Sequence, residues 1–180
     1  MLKFFIIRFR KWQSLKGSGI VLKIVRLDDR LVHGQLINNW CTYENITEII
    51  VINKEVAGND IRKTFIELSV PEDVKIIFCD TLKALEIYEE ECEYEEVIMV
   101  FGNPFEILEF IEAGGKIRIL NIGGMSFKKD KKKIDTNLYL DDEELEALNK
   151  IANFNVEIEI RILPTDKKTD FFNALKIRRR

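Results

Sequence analysis

The sequence predicts a single α/β domain with an open, mostly parallel, doubly wound β-sheet that carries helices on both faces. Short runs rich in Val and Ile alternate with amphipathic helical segments. Several of these runs are almost continuously apolar, as in strands covered on both faces. Strand–helix–strand repeats at this spacing favour parallel strands joined by right-handed crossovers. A chain of 180 residues is long enough to bury one core of ordinary size.

The predicted strands follow one another from residue 20 onward. Each is a short run of β-branched and other apolar residues, bounded by polar or turn-forming residues. They cover residues 20–25, 46–52, 74–79, 96–101, 116–122, 137–140 (the weakest) and 156–163.

The predicted helices have recognisable start signals. A capping residue precedes each, and acidic residues or a proline occupy the first turn. On these signals, Asp80-Thr81 opens a helix over residues 82–91, Asn103-Pro104 opens one that Gly114-Gly115 ends, and Asp141-Asp142 opens one over residues 143–153.

Residues 20–180 show no linker, internal repeat or low-complexity segment, so we expect one domain there. Residues 1–19 carry five Lys or Arg and no acidic residue. Their LKFFII run is too short and too interrupted for a signal peptide. We interpret them as a nonessential extension. The alternatives are a basic membrane-surface helix and a misassigned start codon, with translation beginning near Val21.

Composition excludes several classes of protein. Hydrophobic residues make up 46% of the chain and charged residues 33%, the balance of a folded soluble protein. A net charge of −3 gives no general reason to expect a nucleic-acid partner, and no apolar run approaches the roughly 20 residues of a membrane-spanning helix. The three cysteines, Cys41, Cys79 and Cys92, form no CxxC pair. With one histidine in the chain, we expect no metal site, no disulfide framework and a reducing cytoplasm, with Cys41 and Cys79 in the core.

The most informative segment is RLDDRLVHGQ, residues 26–35, directly after the first predicted strand. Ligands of parallel α/β sheets bind outside the carboxyl ends of the strands, where this segment lies. The next helix begins at about Gly34, so His33 stands beside unpaired backbone N–H groups that favour an anion. That helix has an apolar face formed by Leu36, Ile37 and Trp40.

His33 and two nearby arginines suit phosphoryl transfer. An imidazole is neutral and nucleophilic near pH 7, and the transfer asks mainly for in-line positioning and charge neutralisation. A charge-assisted hydrogen bond contributes about 1.5–3 kcal/mol, against about 0.3–1 kcal/mol for a helix terminus. Arg30 is therefore the first choice for holding a phosphoryl group, and Arg26 the second. From residue chemistry alone, a lone loop histidine such as His33 is more often an ordinary residue than a catalytic one. The chain has no Walker loop for ATP.

Further residues support this site. We expect one of Asp28 and Asp29 to orient an arginine, and capping of the loop is the alternative role. We expect no direct contact of these carboxylates with a phosphate, because they would repel it. Gln35 is expected to hydrogen-bond the imidazole or the phosphate. Gly123 and Gly124 end a strand on the same rim, where we expect an unusual backbone turn or, alternatively, close approach of a phosphate or partner.

Two lysine-rich segments each have two possible roles. The run KKDKKK, residues 128–133, is interpreted as a solvated loop, with a docking patch for an acidic partner as the functional alternative. The segment Asp166-Lys167-Lys168 is either a cap with solvated charges or a partner contact.

The motif RLDDRLVHGQ closely resembles the active-site loop of the IIB components of the mannose/sorbose family of the bacterial phosphotransferase system (PTS). Three further segments are similar to motifs of that family: FGNP at 101–104, NIGGM at 121–125 and PTDKK at 164–168. Their order and spacing match over nearly all of residues 20–177. On this resemblance, residues 20–180 are identified as a sorbose-type IIB domain.

The resemblance implies that His33 accepts a phosphoryl group on Nδ1 from a phosphohistidine of a IIA component. His33 would then donate it to the sugar delivered by the membrane IIC and IID components, with Arg30 assisting the transfer. It implies a cytoplasmic phosphotransferase, peripherally associated with the transporter and without a cofactor. Two departures are the extra residues 1–19 and the lack of an attached IIA-like domain, which would make the donor a separate protein.

Two other functions are considered. A regulatory module could use the same phosphorylated His33 without serving a transporter. A nucleotide-binding protein is suggested by the doubly wound pattern alone, but the chain lacks GxGxxG after its first strand as well as a Walker loop.

Overall fold

A seven-stranded, mostly parallel β-sheet forms the centre of the computed structural model, which describes residues 24–90 and 96–178. Its order is β3-β2-β4-β1-β5-β8-β9, and only the edge strand β9 runs antiparallel to its neighbour. A separate antiparallel hairpin joins β6 and β7. The fold-class prediction is confirmed. The strands are β1 (Ile24–Asp28), β2 (Glu48–Ile52), β3 (Lys75–Cys79), β4 (Val97–Phe101), β5 (Ile119–Gly124), β6 (Lys132–Asp135), β7 (Leu138–Leu140), β8 (Glu157–Ile160) and β9 (Thr169–Asp170).

Helices cover both faces of this sheet. Helix α1 consists of a π-helical segment, Leu36–Cys41, followed by the α-helical turn Thr42–Glu44. The other helices are α2 (Lys54–Ala57), α3 (Asp60–Glu67), α4 (Thr81–Glu90), α5 (Pro104–Glu112), α6 (Asp142–Asn153) and α7 (Phe171–Arg178).

The predicted helix signals are confirmed by the hydrogen bonds at the helix starts. The Asn103 side chain accepts from the Glu106 backbone N–H at the start of α5, and Asp80 accepts from the Lys83 N–H at the start of α4. Asp141 forms a reciprocal capping box with Glu144 at the start of α6.

The core consists of two apolar clusters, one on each face of the sheet. Residues of α1 and α2 pack on one face, with α3 against the same cluster, whereas α4, α5, α6 and α7 pack on the other. The connection after β1 therefore leaves towards one face, and those after its neighbours β4 and β5 leave towards the other. This divergence opens a crevice at the carboxyl end of β1, where ligands of doubly wound sheets bind.

Several element boundaries differ from the prediction. Residues 20–23 of the first predicted strand lie outside the described residues, and β1 continues to Asp28, inside the predicted loop. β5 begins and ends later than predicted, and β8 is shorter. β7 belongs to the hairpin rather than to the main sheet. α2, α3, β6 and β9 were not predicted, because they are short or rich in polar residues.

Cys41 and Cys79 are buried thiols, as predicted, whereas Cys92 lies outside the described residues. Burial raises the pKa of Cys41 to about 11 and that of Cys79 to about 12, so both stay protonated and act as core residues. Within the described ranges, no helix is long and apolar enough to cross a membrane.

Candidate active site

The Asp28 carboxylate, fully buried at the carboxyl end of β1, is the centre of the site. Arg26 Nη2 donates to its Oδ2 at 3.0 Å. Arg30 donates from Nε to Oδ1 at 3.1 Å and from Nη2 to Oδ2 at 3.2 Å. His33 Nε2 lies 3.0 Å from Oδ2. One carboxylate thus holds both candidate arginines and the candidate nucleophile together.

The charge of Asp28 fixes which nitrogen of His33 carries the proton. Burial by itself raises the pKa of this carboxyl, but the hydrogen bond with His33, the charge of Arg26 and the hydrogen bond from Arg30 outweigh burial and lower the pKa to about 2. An ionised carboxylate only accepts hydrogen bonds, so Nε2 must donate its proton to Asp28. In the neutral imidazole, the lone pair then resides on Nδ1.

The loop bends sharply between Asp28 and His33. Leu31 has a φ of 57°, in the left-handed region that non-glycine residues seldom occupy, and its N–H donates to the Asp28 carbonyl at 3.0 Å. Its side chain is buried in the core, which holds this conformation in place. The bend directs Arg30 and His33 back onto the Asp28 side chain.

His33 stands at the start of the following helix. Its carbonyl accepts from the Ile37 N–H at 3.1 Å, and helical residues begin at Gly34, as predicted. The side chain is 18% exposed, so the imidazole reaches solvent at its edge while Asp28 holds it. A Cβ at Gly34 would meet only the Asn38 side chain, at 3.8 Å, so packing does not require a glycine there.

Arg26 is buried and supports the site from below. Its Nη1 donates to Asn121 Oδ1 at 2.6 Å, and its guanidinium lies 5.1 Å from the centre of the Trp40 ring. Trp40 in turn donates from Nε1 to the Ile162 carbonyl at 2.7 Å. A side chain with no exposed surface does not reach a phosphoryl group in solvent. Arg26, the second choice for holding a phosphoryl group, therefore has a supporting position, in which it holds Asp28.

Arg30 is the exposed cation of the site. Its side chain is 41% exposed, and its Nη1 donates to Gln35 Oε1 at 3.4 Å. Gln35 therefore contacts Arg30, and not the imidazole as the sequence analysis allowed. Asp28 is the carboxylate that orients the arginines. Asp29 instead accepts from the Ser126 N–H at 2.7 Å and from its hydroxyl at 3.0 Å, which ties the loop to the segment after β5.

Gly123 and Gly124 make room for the two arginines. Neither has a positive φ; among the glycines of the described chain, Gly114 does. A Cβ on Gly123 would lie 1.8 Å from Arg26 Nη2, and one on Gly124 would lie 3.3 Å from Arg30 Nη2. The backbone irregularity here is a shift of strand register, because Leu27 pairs with Ile122 and Asp28 with Gly124, and it does not enter the left-handed region. A glycine is needed at 123 because the buried Arg26 guanidinium passes directly over the backbone, whereas a side chain at 124 would require Arg30 to shift by only a few tenths of an ångström.

Sequence reasoning missed three residues that complete the buried side of the site. Asn121 joins Arg26 to Glu159, whose Oε1 accepts from Asn121 Nδ2 at 3.2 Å. Trp40 was predicted only as part of an apolar face. The available signal was a polar residue within a buried strand: Asn121 interrupts β5 and Glu159 interrupts β8.

The lysine-rich run divides into two parts. Lys131 pairs with Glu144 at 2.5 Å, with both side chains nearly inaccessible, and Lys132 pairs with Asp142. The solvated-loop prediction is therefore wrong for Lys131, and the run enters β6 at Lys132; residues 128–130 do form an exposed loop. Asp166 closes a turn by accepting from the Leu163 N–H at 2.8 Å, whereas the start of α7 is capped by Asp170, which accepts from the Asn173 N–H at 2.8 Å. A partner contact of Asp166-Lys167-Lys168 stays a prediction.

Comparison with known families decides the identity of this fold and site. The sequence-family model described as the PTS system sorbose subfamily IIB component matches residues 22–180. The chain belongs to this family. IIB components accept phosphate from a IIA component and pass it to a sugar, working with IIA and with membrane IIC and IID components. This IIB protein is accordingly a phosphotransferase of sugar transport.

Relatives of known specificity agree with this assignment. The IIB protein is 33% identical over 152 residues to the sorbose-specific EIIB component of Lacticaseibacillus casei, covering 84% of this chain and 93% of that protein. It is also 33% identical over 157 residues to the mannose-specific EIIAB component of Escherichia coli K12, covering 87% of this chain. The match spans 49% of that longer protein, about half its length.

Solved structures show the same architecture. The IIBSor domain of the sorbose permease from Klebsiella pneumoniae has a TM-score of 0.80 and 27% identity to the IIB protein, covering 87% of this chain and 96% of that one. Within residues 24–90 and 96–178, no group of His, Cys, Asp and Glu side chains is arranged to hold a metal ion.

Proposed function

We propose that His33 Nδ1 is the atom of this IIB protein that carries the phosphoryl group. The observation that carries the proposal is the 3.0 Å contact between His33 Nε2 and the buried Asp28 carboxylate. Because Nε2 keeps its proton and donates it in a hydrogen bond to Asp28, Nδ1 has the lone pair that attacks phosphorus. No hydrogen bond from the described residues engages Nδ1.

The two transfers balance without a cofactor. The Nδ1 lone pair attacks the phosphorus of the IIA phosphohistidine, the new N–P bond forms, and the bond to the IIA imidazole breaks. In the second step a sugar hydroxyl oxygen attacks the same phosphorus, the bond to Nδ1 breaks, and the hydroxyl proton leaves to solvent or a base of the partner. His33 ends each cycle unmodified, with Nε2 still held by Asp28.

Arg30 supplies the positive charge that transfer requires. It lies on the same carboxylate as the imidazole, and its partly exposed guanidinium is the cation of the loop that reaches solvent beside His33. Charge-assisted hydrogen bonds to the phosphoryl oxygens would contribute about 1.5–3 kcal/mol each. The N–H groups at the start of α1 add a smaller contribution.

The named relatives suggest the substrate class and setting. Matched proteins are named as specific for sorbose, mannose, fructose and N-acetylgalactosamine. We infer a hexose or hexosamine as the sugar. The protein would work in the cytoplasm, peripherally associated with its IIC and IID components, receiving phosphate from a phosphorylated IIA component or domain. The division into a 20–180 domain and a 1–19 extension stays a prediction, because residues 1–23 lie outside the described residues.

The chain allows an unusually direct test, because His33 is its single histidine. The wild-type protein and His33→Ala would be incubated with a phosphorylated IIA component and their intact masses measured under mildly alkaline conditions. We expect one acid-labile phosphate on the wild type and none on His33→Ala. Asn38→Ala, on the exposed side of α1, is the matched control and should be phosphorylated like the wild type.

Two further readings sharpen this test. Nitrogen-15 NMR of the phosphorylated protein should place phosphorus on Nδ1, and phosphate on Nε2 would contradict the role given to Asp28. Adding membranes that contain the IIC and IID components, with the sugar, should discharge the protein. Stable phosphorylation without any sugar phosphate would instead favour the regulatory function.

A further inference from the structure

An exposed aromatic and cationic surface lies beside the site, and apart from Arg30 its residues have no role in the chemistry proposed above. We call it the docking rim and define it as Arg30, Phe127, Lys128 and Lys129. Phe127 is 68% exposed, and both lysines are exposed. Arg30 and Phe127 line the same open cavity of about 450 Å³, so the rim is continuous with the loop that holds His33.

The exposed phenyl ring is held in a defined position. It packs edge-on against Tyr139, with ring centres 5.5 Å apart, and Lys133 Nζ lies 5.9 Å from the centre of the Tyr139 ring. The preceding residue, Ser126, is bound to Asp29 through its N–H and hydroxyl. A large apolar side chain that is exposed but already held in one position is typical of residues that anchor an interface. Little side-chain conformational entropy is lost when a partner covers it.

The charges of the rim are available to a partner. Lys131 and Lys132 pair with carboxylates of α6, whereas Lys128 and Lys129 form no ion pair with a residue in the described part of the chain. Asp130 offsets one of these charges. With Arg30, the rim keeps a positive excess around an apolar centre, which complements an acidic surface with an apolar patch.

We propose that the docking rim binds the IIA component through an acidic, partly apolar surface around its phosphohistidine. The proposal rests on the function proposed for His33. The rim's charge favours this partner, because the phosphorylated IIA component brings the negative phosphoryl group whereas the sugar acceptor need not carry charge. After transfer, the phosphoryl group sits on His33 and weakens the rim's positive potential, which promotes release of the IIA component.

The steady-state rate of phosphorylation at varied concentrations of the IIB protein tests the proposal, with a fixed catalytic amount of IIA component that its upstream phosphoryl donors keep phosphorylated. Rim charges act mainly on association and its salt dependence. Lys128→Glu with Lys129→Glu should raise KM about tenfold or more, leave kcat within about twofold, and flatten the salt dependence. Phe127→Ala should also raise KM, with an unchanged salt dependence.

The matched control reverses two charges at the opposite end of the strands. Lys116 and Arg118 are exposed and precede β5, whereas the rim follows it. Lys116→Glu with Arg118→Glu should leave KM unchanged. The milder Lys128→Gln with Lys129→Gln should give an intermediate KM, and it replaces the Glu pair if that pair lowers the melting temperature.

The outcomes separate this proposal from the one before it. A rim variant with a normal KM, while wild-type protein is phosphorylated at His33, overturns the docking rim and leaves the role of His33 intact. Normal phosphorylation by the IIA component, with a defect only in sugar phosphorylation by membranes, assigns the surface to the membrane components and also overturns the proposal. Phosphorylation of His33→Ala would refute the role of His33 instead.

Discussion

At the residue scale, Asp28 serves the core and the site with a single charge. Arg26 is fully buried, and a buried guanidinium without a counter-charge costs several kcal/mol. Asp28 provides that counter-charge and also accepts a hydrogen bond from His33 Nε2. Because the same carboxylate satisfies both needs, the orientation of the His33 imidazole depends on the buried ion pair between Arg26 and Asp28.

This arrangement predicts a specific effect of pH on stability. The pKa of Asp28 is lowered from 3.8 to about 2 in the folded protein, so its ionisation contributes stability that is present above pH 4. That contribution, about 2 kcal/mol, is lost as the pH falls from about 4 through 2. Asp28→Asn should lower the free energy of unfolding at pH 7 by about 3–5 kcal/mol, because Arg26 loses its counter-charge. Urea denaturation between pH 3 and 7 measures both effects.

The neighbouring carboxylate provides the control for this prediction. Asp29→Asn keeps an oxygen that can accept from Ser126 and should change the free energy of unfolding by about 1 kcal/mol or less. The difference between wild type and Asp28→Asn should shrink as the pH falls below 4. A difference that stayed constant down to pH 3 would show that the Asp28 charge does not stabilise the folded protein.

At the scale of secondary structure, α1 connects the His33 loop to the segment that follows β8. The π-helical turn widens the helix, a feature that often accompanies functional sites. It carries Trp40, whose indole donates to the Ile162 carbonyl after β8. The ring contacts Arg26 and Arg161, with the two guanidinium carbons 5.1 Å and 4.8 Å from its centre. Trp40 thus ties α1, β1 and the end of β8 together.

Trp40→Phe should therefore weaken both the fold and the site. The substitution removes the indole N–H and part of a fully buried ring, and we expect a loss of about 2–3 kcal/mol in the free energy of unfolding. Phosphorylation of His33 should slow several-fold, because Arg26 and hence Asp28 are held less firmly. Tyr43→Phe, in the same helix and 60% exposed, is the control and should change neither. A Trp40→Phe protein with normal phosphorylation kinetics would confine Trp40 to a packing role.

The elements that the sequence predicts well are those whose signals are local. Buried strands such as β4 and the caps Asn103 and Asp141 depend on neighbouring residues, and they were predicted within a few positions. The π-helical form of α1 was not predicted, because no propensity distinguishes it from an α-helix. β6 and β9 were missed because their pairing, and not their apolar content, makes them strands.

The same distinction applies to the site. His33 and Arg30 belong to one contiguous motif, so their proximity could be predicted. The Arg26–Asn121 bond joins residues 95 positions apart, and it exists because β1 and β5 become neighbours in the sheet. The need for glycine at 123 follows from the path of the Arg26 side chain, which no sequence pattern specifies.

At the scale of the whole molecule, the site lies at the centre of the sheet, on its carboxyl edge. β1 pairs with β4 on one side and β5 on the other, so the loop that carries His33 starts from the best-supported strand of the sheet. The docking rim extends this surface through the segment after β5. The proposed chemistry and the proposed docking rim thus lie together at the carboxyl ends of the strands, and the exposed Lys116 and Arg118 lie at the opposite ends.

This architecture makes the contribution of residues 1–19 testable. From Ile24 onward, β1 is already paired on both sides, and both faces of the sheet are covered by helices within the described residues. A chain that begins at residue 20 should therefore melt within about 3 °C of the full chain, a limit equivalent to roughly 1 kcal/mol for a domain of this size. It should also be phosphorylated at the same rate. Calorimetry and the IIA transfer assay measure these quantities, and sedimentation with anionic vesicles completes the comparison. If the full chain binds vesicles and the shortened chain does not, the membrane-surface helix is favoured. If the shortened chain melts more than about 3 °C lower, residues 1–19 are part of the fold.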